Sequence, residues 1–414
     1  MLDINLIREN PERVREGARK KGAAAVVDDV VETDAKWREA VGKLDELRAE
    51  QKKFTGGGAN AEELKSRIKE LSSRERALLA ERNRALERLP NIPFDNVPEG
   101  EDESGNVVVR EEGKKPNFGF KPRDYLSIAE KLGIIDVKRA AEVAGSRFGY
   151  LLGDAALLEF ALVKLVFDTV LKEGFVPVVP PALARPEVMR KMGKGKFIDE
   201  NDAFYISEDG LYLIGSAEHT IGPLHMSDVL DEQDLPRRYV GFSTAFRREA
   251  GSYGRDTKGI LRVHQFDKVE LFSFAHPKYS EEEHRFLLSM QEKLMGKLKL
   301  PYRVVEVCTG DMTFADARQY DIETWFPSEG KYRETHSASN TTDFQARGIN
   351  ARYRPSGGGK PEFLHMLNAT GFAIGRTIAA IVENYQTKDG NVEMPRVLRK
   401  YMGKRTLCSS VFPS

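Results

Sequence analysis

The chain has 414 residues, too many for one ordinary core, so two domains are the default reading. Lysine plus arginine and aspartate plus glutamate both number 64, which excludes a global basic field; any contact with nucleic acid has to come from local patches. A hydrophobic content of 40% argues against disorder, two cysteines (Cys308 and Cys408) against a disulfide framework, and seven scattered histidines against structural zinc.

The N-terminal MLDINLIREN mixes charge into its apolar residues from Asp3 onward, unlike a signal peptide. From about Asp34 to Leu89 the composition shifts to Ala, Glu, Lys, Arg and Leu, broken once by Phe54-Thr55-Gly56-Gly57-Gly58. Leu64, Ile68, Leu71, Leu78, Ala85 and Leu89 make a narrow apolar seam, and Trp37, Val41, Leu44 and Leu47 offer a matching stripe before the glycines. Two helices joined by a tight glycine turn make an antiparallel coiled-coil hairpin, the second helix projecting roughly 45 Å. On periodicity alone this arm is a spacer or dimerising coiled coil, since its lysines and arginines (Lys43, Arg48, Lys65, Arg67) are interspersed with glutamates as on any solvated face. Pro90, Pro93, Pro98, Gly100 and Gly105 mark a polar connector.

Beyond it, a short strand is expected at Val107–Val109 and a helix at Asp124–Leu132. Tyr150–Leu171 is the most apolar stretch, but Asp154, Glu159, Lys164 and Asp168 make it an amphipathic core helix rather than a membrane span. It leads into EGFVPVVPPAL, which by itself is a turn and a strand. YVGFSTAF (Tyr239–Phe246) and ILRVHQFDKVELF (Ile260–Phe272) alternate as two strands of a hairpin. Arg247 then falls at a strand end with Glu249 two residues on, on the same face, and the loop between is rich in Gly, Ser, Arg, Asp and Lys. That combination suits a polyanionic ligand held above a sheet. Alternation and glycines would occur in any hairpin, but the charges would not.

KYRETHSASNTTDFQAR (Lys331–Arg347) carries Glu334 and Ser337, and a helix reading GFAIGRTIAAIVENYQ follows Asn368-Ala369-Thr370, with Gly371 and Gly375 allowing close approach and Arg376 one turn in. PSGGGKP (Pro355–Pro361) lacks the GxxxxGK[ST] spacing of a phosphate loop and reads as a solvent turn between the strands GINARYR and FLHMLN.

FRREAGSYGRDTKGILRVHQFDKVE (Phe246–Glu270) resembles motif 2 of the class II aminoacyl-tRNA synthetases in the form typical of the seryl-tRNA synthetases, and the segment around Arg376 resembles motif 3. The resemblance runs from LIRENPERV to YMGK at residues 401–404. It implies an α+β fold: a catalytic domain built on an antiparallel sheet (residues 101–414) and an N-terminal tRNA-binding domain with a helical hairpin arm (residues 1–100). The implied reaction joins serine to ATP as seryl-adenylate, then passes the seryl group to the 3′ end of serine tRNA.

By the same resemblance Arg247 would bridge the substrate carboxylate and α-phosphate, Glu249 would contact the adenine amino group, and Phe266 would stack on the base, although Phe266 alone reads as core. Arg376 would bind the γ-phosphate, and Glu334 and Ser337 would hold Mg²⁺. Serine would be recognised by Ser216, Glu218, Glu270, Asn368 and Thr370, with Ser216 standing where the family usually has threonine. A homodimer and a cytoplasmic location are also implied. The rivals are an aminoacyl ligase for a carrier protein, opposed by the arm and the missing Cys/His cluster, and a non-catalytic RNA-binding paralogue, opposed by Arg247, Glu249, Glu334 and Arg376.

Overall fold

The computed structural model describes residues 1–53, 59–251 and 258–407. The glycine turn at Phe54–Gly58, the middle of the motif 2 loop and the tail with Cys408 lie outside the described residues. The chain divides into two units, Met1–Pro93 and Phe94–Ser414.

In the first unit, short helices at Ile4–Glu9 and Pro11–Arg19 start at Asp3 and Asn10, whose side chains accept from backbone N–H groups of the first turn. Helices α1 (Ala25–Lys53) and α2 (Ala59–Glu87) then pack against each other, each 29 residues long. The arm begins at Ala25, nine residues before the compositional shift at Asp34, because Val27 and Val30 are already buried. Leu44, Leu64 and Ala85 are buried along the seam. Buried Asp34 receives Nε and Nη2 of Arg8, each at 2.8 Å, and Nε of Arg38 at 3.0 Å. Trp37 donates to Glu75 at 2.8 Å and lies under the Arg82 guanidinium. Apolar seam and polar cross-links therefore both join the two helices.

The second unit is organised by eight strands: β1 (Val107–Glu112), β2 (Phe175–Val178), β3 (Arg237–Phe246), β4 (Gln265–Ala275), β5 (Tyr302–Glu306), β6 (Arg318–Phe326), β7 (Lys331–Asn340) and β8 (His365–Ala373). Their order in the sheet is β1-β5-β6-β7-β8-β4-β3-β2, antiparallel throughout except for the β2–β3 pair. Side chains of period two divide the sheet's faces. Val269, Leu271, Ile322, Ala338, Leu367 and Ala369 join the large apolar core with helices α3 (Asp154–Val170), α4 (Ser280–Leu298) and α5 (Ile374–Asn384). Each fully buried aliphatic side chain there contributes about 1.5–3 kcal/mol. The opposite face carries Lys268, Glu270, Asn368 and Thr370, bounded by a smaller core around Phe272 and Phe274.

Four local expectations are corrected. Ile260–His264 is not strand: the Ile260 N–H donates to the Tyr125 hydroxyl and the His264 N–H to the Arg147 carbonyl, so these residues leave the ladder and pairing begins at Gln265. The motif 3 helix starts at Ile374, because Gly371, Phe372 and Ala373 still belong to β8. GINARYR is not one strand: Gly348 and Ile349 end a helix, Phe344–Ile349, and only Arg352–Arg354 is strand, paired with Val229–Asp231 and, across the 355–361 turn, with Glu362–Phe363. The strand at Val107 runs on to Glu112, paired with β5. Asp124 caps the next helix, Tyr125–Leu132, by accepting from the Ser127 N–H at 3.0 Å.

Candidate active site

A cavity of about 1070 Å³ opens on the polar face of the sheet. Ser216, Glu218, Arg247, Glu249, Phe266, Glu334, Ser337, Asn368, Thr370 and Arg376 all line it. Glu270 alone among the sequence-selected residues is not in its lining; the residue is 1% exposed, its carboxylate beside Ser216.

Two register shifts aim the polar residues. Glu334 and Ser337 are three residues apart and would face opposite ways in a regular strand. Between Ile322 and Glu323 the β6–β7 register shifts, so that Ile322 pairs with His336 but Glu323 with Glu334, and Thr335 is the extra residue. Glu334 and Ser337 thus both reach the cavity, with Asp321 and Glu323 opposite them on β6. In the same way, Val269 pairs with Phe372 but Glu270 with Thr370, leaving Gly371 unmatched. Phe372 then turns into the core while Thr370 and Asn368 face the cavity. A side chain on Gly371 would press on Val166 and Val269 at 3.1–3.2 Å.

Arg247 follows the last residue of β3. Its N–H donates to the His264 carbonyl at 2.9 Å, its Nε to the Gly215 carbonyl at 3.1 Å, and its guanidinium lies 5.3 Å from the Phe266 ring centre. Glu249 does not continue a strand face. Its φ of +56°, unusual for a residue with a side chain, turns the chain, and Arg262 meets its carboxylate at 2.6 Å. Arg376 lies in the first turn of α5 and reaches Glu334 Oε1 at 3.1 Å. Enclosure in the cleft opposes ionisation of Glu334, but Arg376, Arg247 and Arg262 outweigh it and hold its carboxyl below the ordinary range. Asp321 goes the other way, pushed well up by burial and then by the charge of Glu334. The cavity therefore sets a cluster of guanidiniums directly against a set of hard oxygens.

The deeper end holds two buried ion pairs. Glu218 receives Lys194 at 2.8 Å and the Gln345 amide at 2.7 Å. Burial alone would raise its carboxyl, but Lys194 first among its partners brings it down to about 2. Glu270 receives Lys268 at 2.6 Å and the Ser216 hydroxyl at 3.2 Å, while Ser216 accepts from the Glu218 N–H at 3.2 Å. His219 is kept neutral, its imidazole lowered to about 3 by burial and then by Lys194; its Nδ1 accepts from the Gly215 N–H. Lys194, Lys268, Arg262, His219 and Gln345 were not singled out from the sequence. Lys268 could have been, two residues before Glu270 on the same strand face. Lys194 and Gln345 carry no local signal.

An arginine cluster above an antiparallel sheet, flanked by carboxylates and a buried polar pocket, is the arrangement expected of a class II aminoacyl-tRNA synthetase, and the family match places the chain in that class. Residues 202–385 match the tRNA synthetase class II core domain (G, H, P, S and T), and residues 1–56 match the seryl-tRNA synthetase N-terminal domain. The serine–tRNA ligase of Acidothermus cellulolyticus is 46% identical over 98% of this chain and 99% of its own. The structure of seryl-tRNA synthetase from Pyrococcus horikoshii complexed with ATP superposes with a TM-score of 0.92 at 40% identity, covering 99% of this chain and 100% of that one. That of the cytoplasmic serine–tRNA ligase from Naegleria fowleri in complex with AMP gives 0.87 at 35%, covering 99% of each.

The chain belongs to the seryl-tRNA synthetase family. It is an aminoacyl-tRNA ligase, and the matches support serine charging rather than a carrier-protein ligase or a non-catalytic paralogue.

Proposed function

We propose that this chain activates L-serine with ATP to seryl-adenylate and transfers the seryl group to the 3′ end of serine tRNA, with the roles divided along the cavity as follows. Arg247 addresses the serine carboxylate and the α-phosphate together, which its planar fork allows, and stabilises charge that grows on the phosphoryl oxygens as the carboxylate attacks. Arg376 takes the γ-phosphate, Phe266 stacks on adenine and Glu249 accepts from its amino group. Serine enters the deep end, where Ser216, Glu218, Asn368 and Thr370 meet its ammonium and hydroxyl over Glu270. The observation that carries the reading is the convergence of Arg247, Glu249, Phe266 and Arg376 with the buried Ser216, Glu218 and Thr370 on one cavity.

Mg²⁺ fits the oxygen side. Glu334 and Ser337 would hold it, and Asp321, raised first by burial and then by the charge of Glu334, stands opposite Ser337 on β6, a crowding of oxygens that a divalent cation would ease. When bound, the ion shields phosphate charge.

The first unit would grip the tRNA through α1 and α2. A homodimer in the cytoplasm completes the reading: Leu157, Phe160, Val176 and Val179 are large apolar side chains left exposed on α3 and around β2, a surface suited to a second copy of the chain. Among the described residues no helix is long and apolar enough to cross a membrane.

ATP–pyrophosphate exchange with each of the twenty amino acids, followed by charging of serine tRNA, tests the proposal. Exchange with serine and transfer to tRNA are expected; exchange with no amino acid would overturn it.

A further inference from the structure

We propose that Lys268 is a specificity-determining residue of the amino-acid pocket: by pairing with Glu270 from within the same strand face, it keeps a charged acceptor under the pocket that favours a hydroxyl-bearing substrate over its deoxy analogue. The inference rests on the serine-activation reading above and deepens it.

Lys268 lines the cavity, yet is only 8% exposed, and its Nζ lies 2.6 Å from Glu270 Oε2. That oxygen also accepts the Ser216 hydroxyl. Both partners of Glu270 thus fall on one oxygen, and among the described residues no hydrogen bond is made to Oε1. A carboxylate clamped in this way is fixed in rotation and has acceptor capacity to spare. Across the ladder, Ser243 is the register partner of Lys268 and Gly241 that of Glu270. The Ser243 hydroxyl is buried without a hydrogen-bond partner among the described residues, so the strip beneath the pocket still has polar capacity to fill.

The surroundings explain why a lysine is needed there. Ser216 donates to Glu270 from the segment before the helix Glu218–Ile221, Glu218 acts on it from that helix, and Thr370 is its register partner on β8, while Lys194, His219 and Arg247 line the adjoining cavity. Lys194 is committed to Glu218, and His219 is neutral. Glu218 itself repels a second negative charge. Burial pushes the Glu270 carboxyl up, and Lys268 is the foremost force opposing that rise. Without the lysine, the leading force that opposes burial is gone, so the Glu270 carboxyl would rise further toward its neutral form, and a neutral acceptor binds a hydroxyl less well than a charged one. An alanine substrate makes no such bond and would not register the change.

The sign of the pH dependence follows. Removing Lys268 raises the Glu270 carboxyl further, so the ionised form, and the discrimination it supports, returns only as pH rises.

The experiment is ATP–pyrophosphate exchange by the full-length protein with serine and with alanine from about pH 6 to 9, comparing parent, Lys268→Met, Lys268→Arg and the double variant Lys268→Met/Glu270→Gln. Near neutral pH, Lys268→Met should lose about tenfold in kcat/KM for serine relative to alanine, the difference between a charged and a neutral hydrogen bond. The lost ratio should recover toward high pH, and Lys268→Arg should restore it across the range. The double variant leaves no uncompensated buried charge, so it guards against misfolding of the single one. It should show the same low ratio without pH dependence. A serine/alanine ratio and pH profile equal to the parent's in either the single or the double methionine variant would overturn the proposal. If the parent itself exchanges with no amino acid, the serine-activation reading fails instead, and the two failures are told apart.

Discussion

Replacing Lys194 with methionine tests how the deep end of the cavity is held together. The Glu218 side chain is 9% exposed, and burial would raise its carboxyl; Lys194 at 2.8 Å leads the forces that bring it from 4.5 down to about 2. A carboxyl lowered in the fold contributes stability above its unfolded value, 4.5, and loses it as pH falls toward 2. That interval is worth roughly 3 kcal/mol, in line with the about 3–5 kcal/mol paid for stranding one member of a buried ion pair. Lys194→Met should therefore cost roughly 3 kcal/mol near neutral pH, a fall of about 6 °C in Tm for a domain of this size. Calorimetric melting of parent and variant across pH 4 to 8 is the assay. The variant's Glu218 is no longer held down, so it takes up a proton as pH falls and the gap between the two proteins should narrow toward acid. A variant that melts with the parent at neutral pH, or a gap that widens toward acid, would refute the assignment of Lys194 as the charge that pins Glu218.

Arg247→Ala should lower kcat for pyrophosphate exchange by about 10² to 10³, the scale of one donor that stabilises transition-state charge, with an unchanged melting curve; exchange close to the parent's would remove Arg247 from the chemistry. Replacing residues 36–88 with a short Gly/Ser linker should spare serine activation and abolish tRNA charging, and tRNA binding by the intact protein should weaken with salt; equal loss of both activities would point to a structural arm. Glu159 on α3 is raised to about 7 by burial and then by Asp267, which also accepts from Thr244 at 2.6 Å. An acid raised in the fold contributes stability below 4.5 that is lost as pH climbs through about 7. Glu159→Gln should accordingly raise Tm above neutrality and flatten its dependence on pH; an unchanged slope would show that the two carboxyls do not share a site.

What could be read from the sequence, and what could not, divides along a physical line. Alternation in Arg237–Phe246 and the apolar seam of α2 are local periodicities that tertiary packing has no reason to override, so strand and arm were legible. Ile260–His264 alternates equally well, but its N–H groups are claimed by Tyr125 and Arg147, more than a hundred residues away, and pattern cannot register such a competitor. The shifts that turn Glu334 and Ser337 to one face, and Thr370 away from Phe372, are backbone events of one residue each, also invisible to period-two counting.

Motif residues are selected to face a ligand, so their charges stand out in the sequence. The groups that set their protonation are selected only to be near them in space: Lys194 is 24 residues from Glu218 and Gln345 is 127. A motif therefore announces which atoms touch the substrate, while the state in which a buried Glu218 or Glu270 meets it is decided by partners that only the fold assembles.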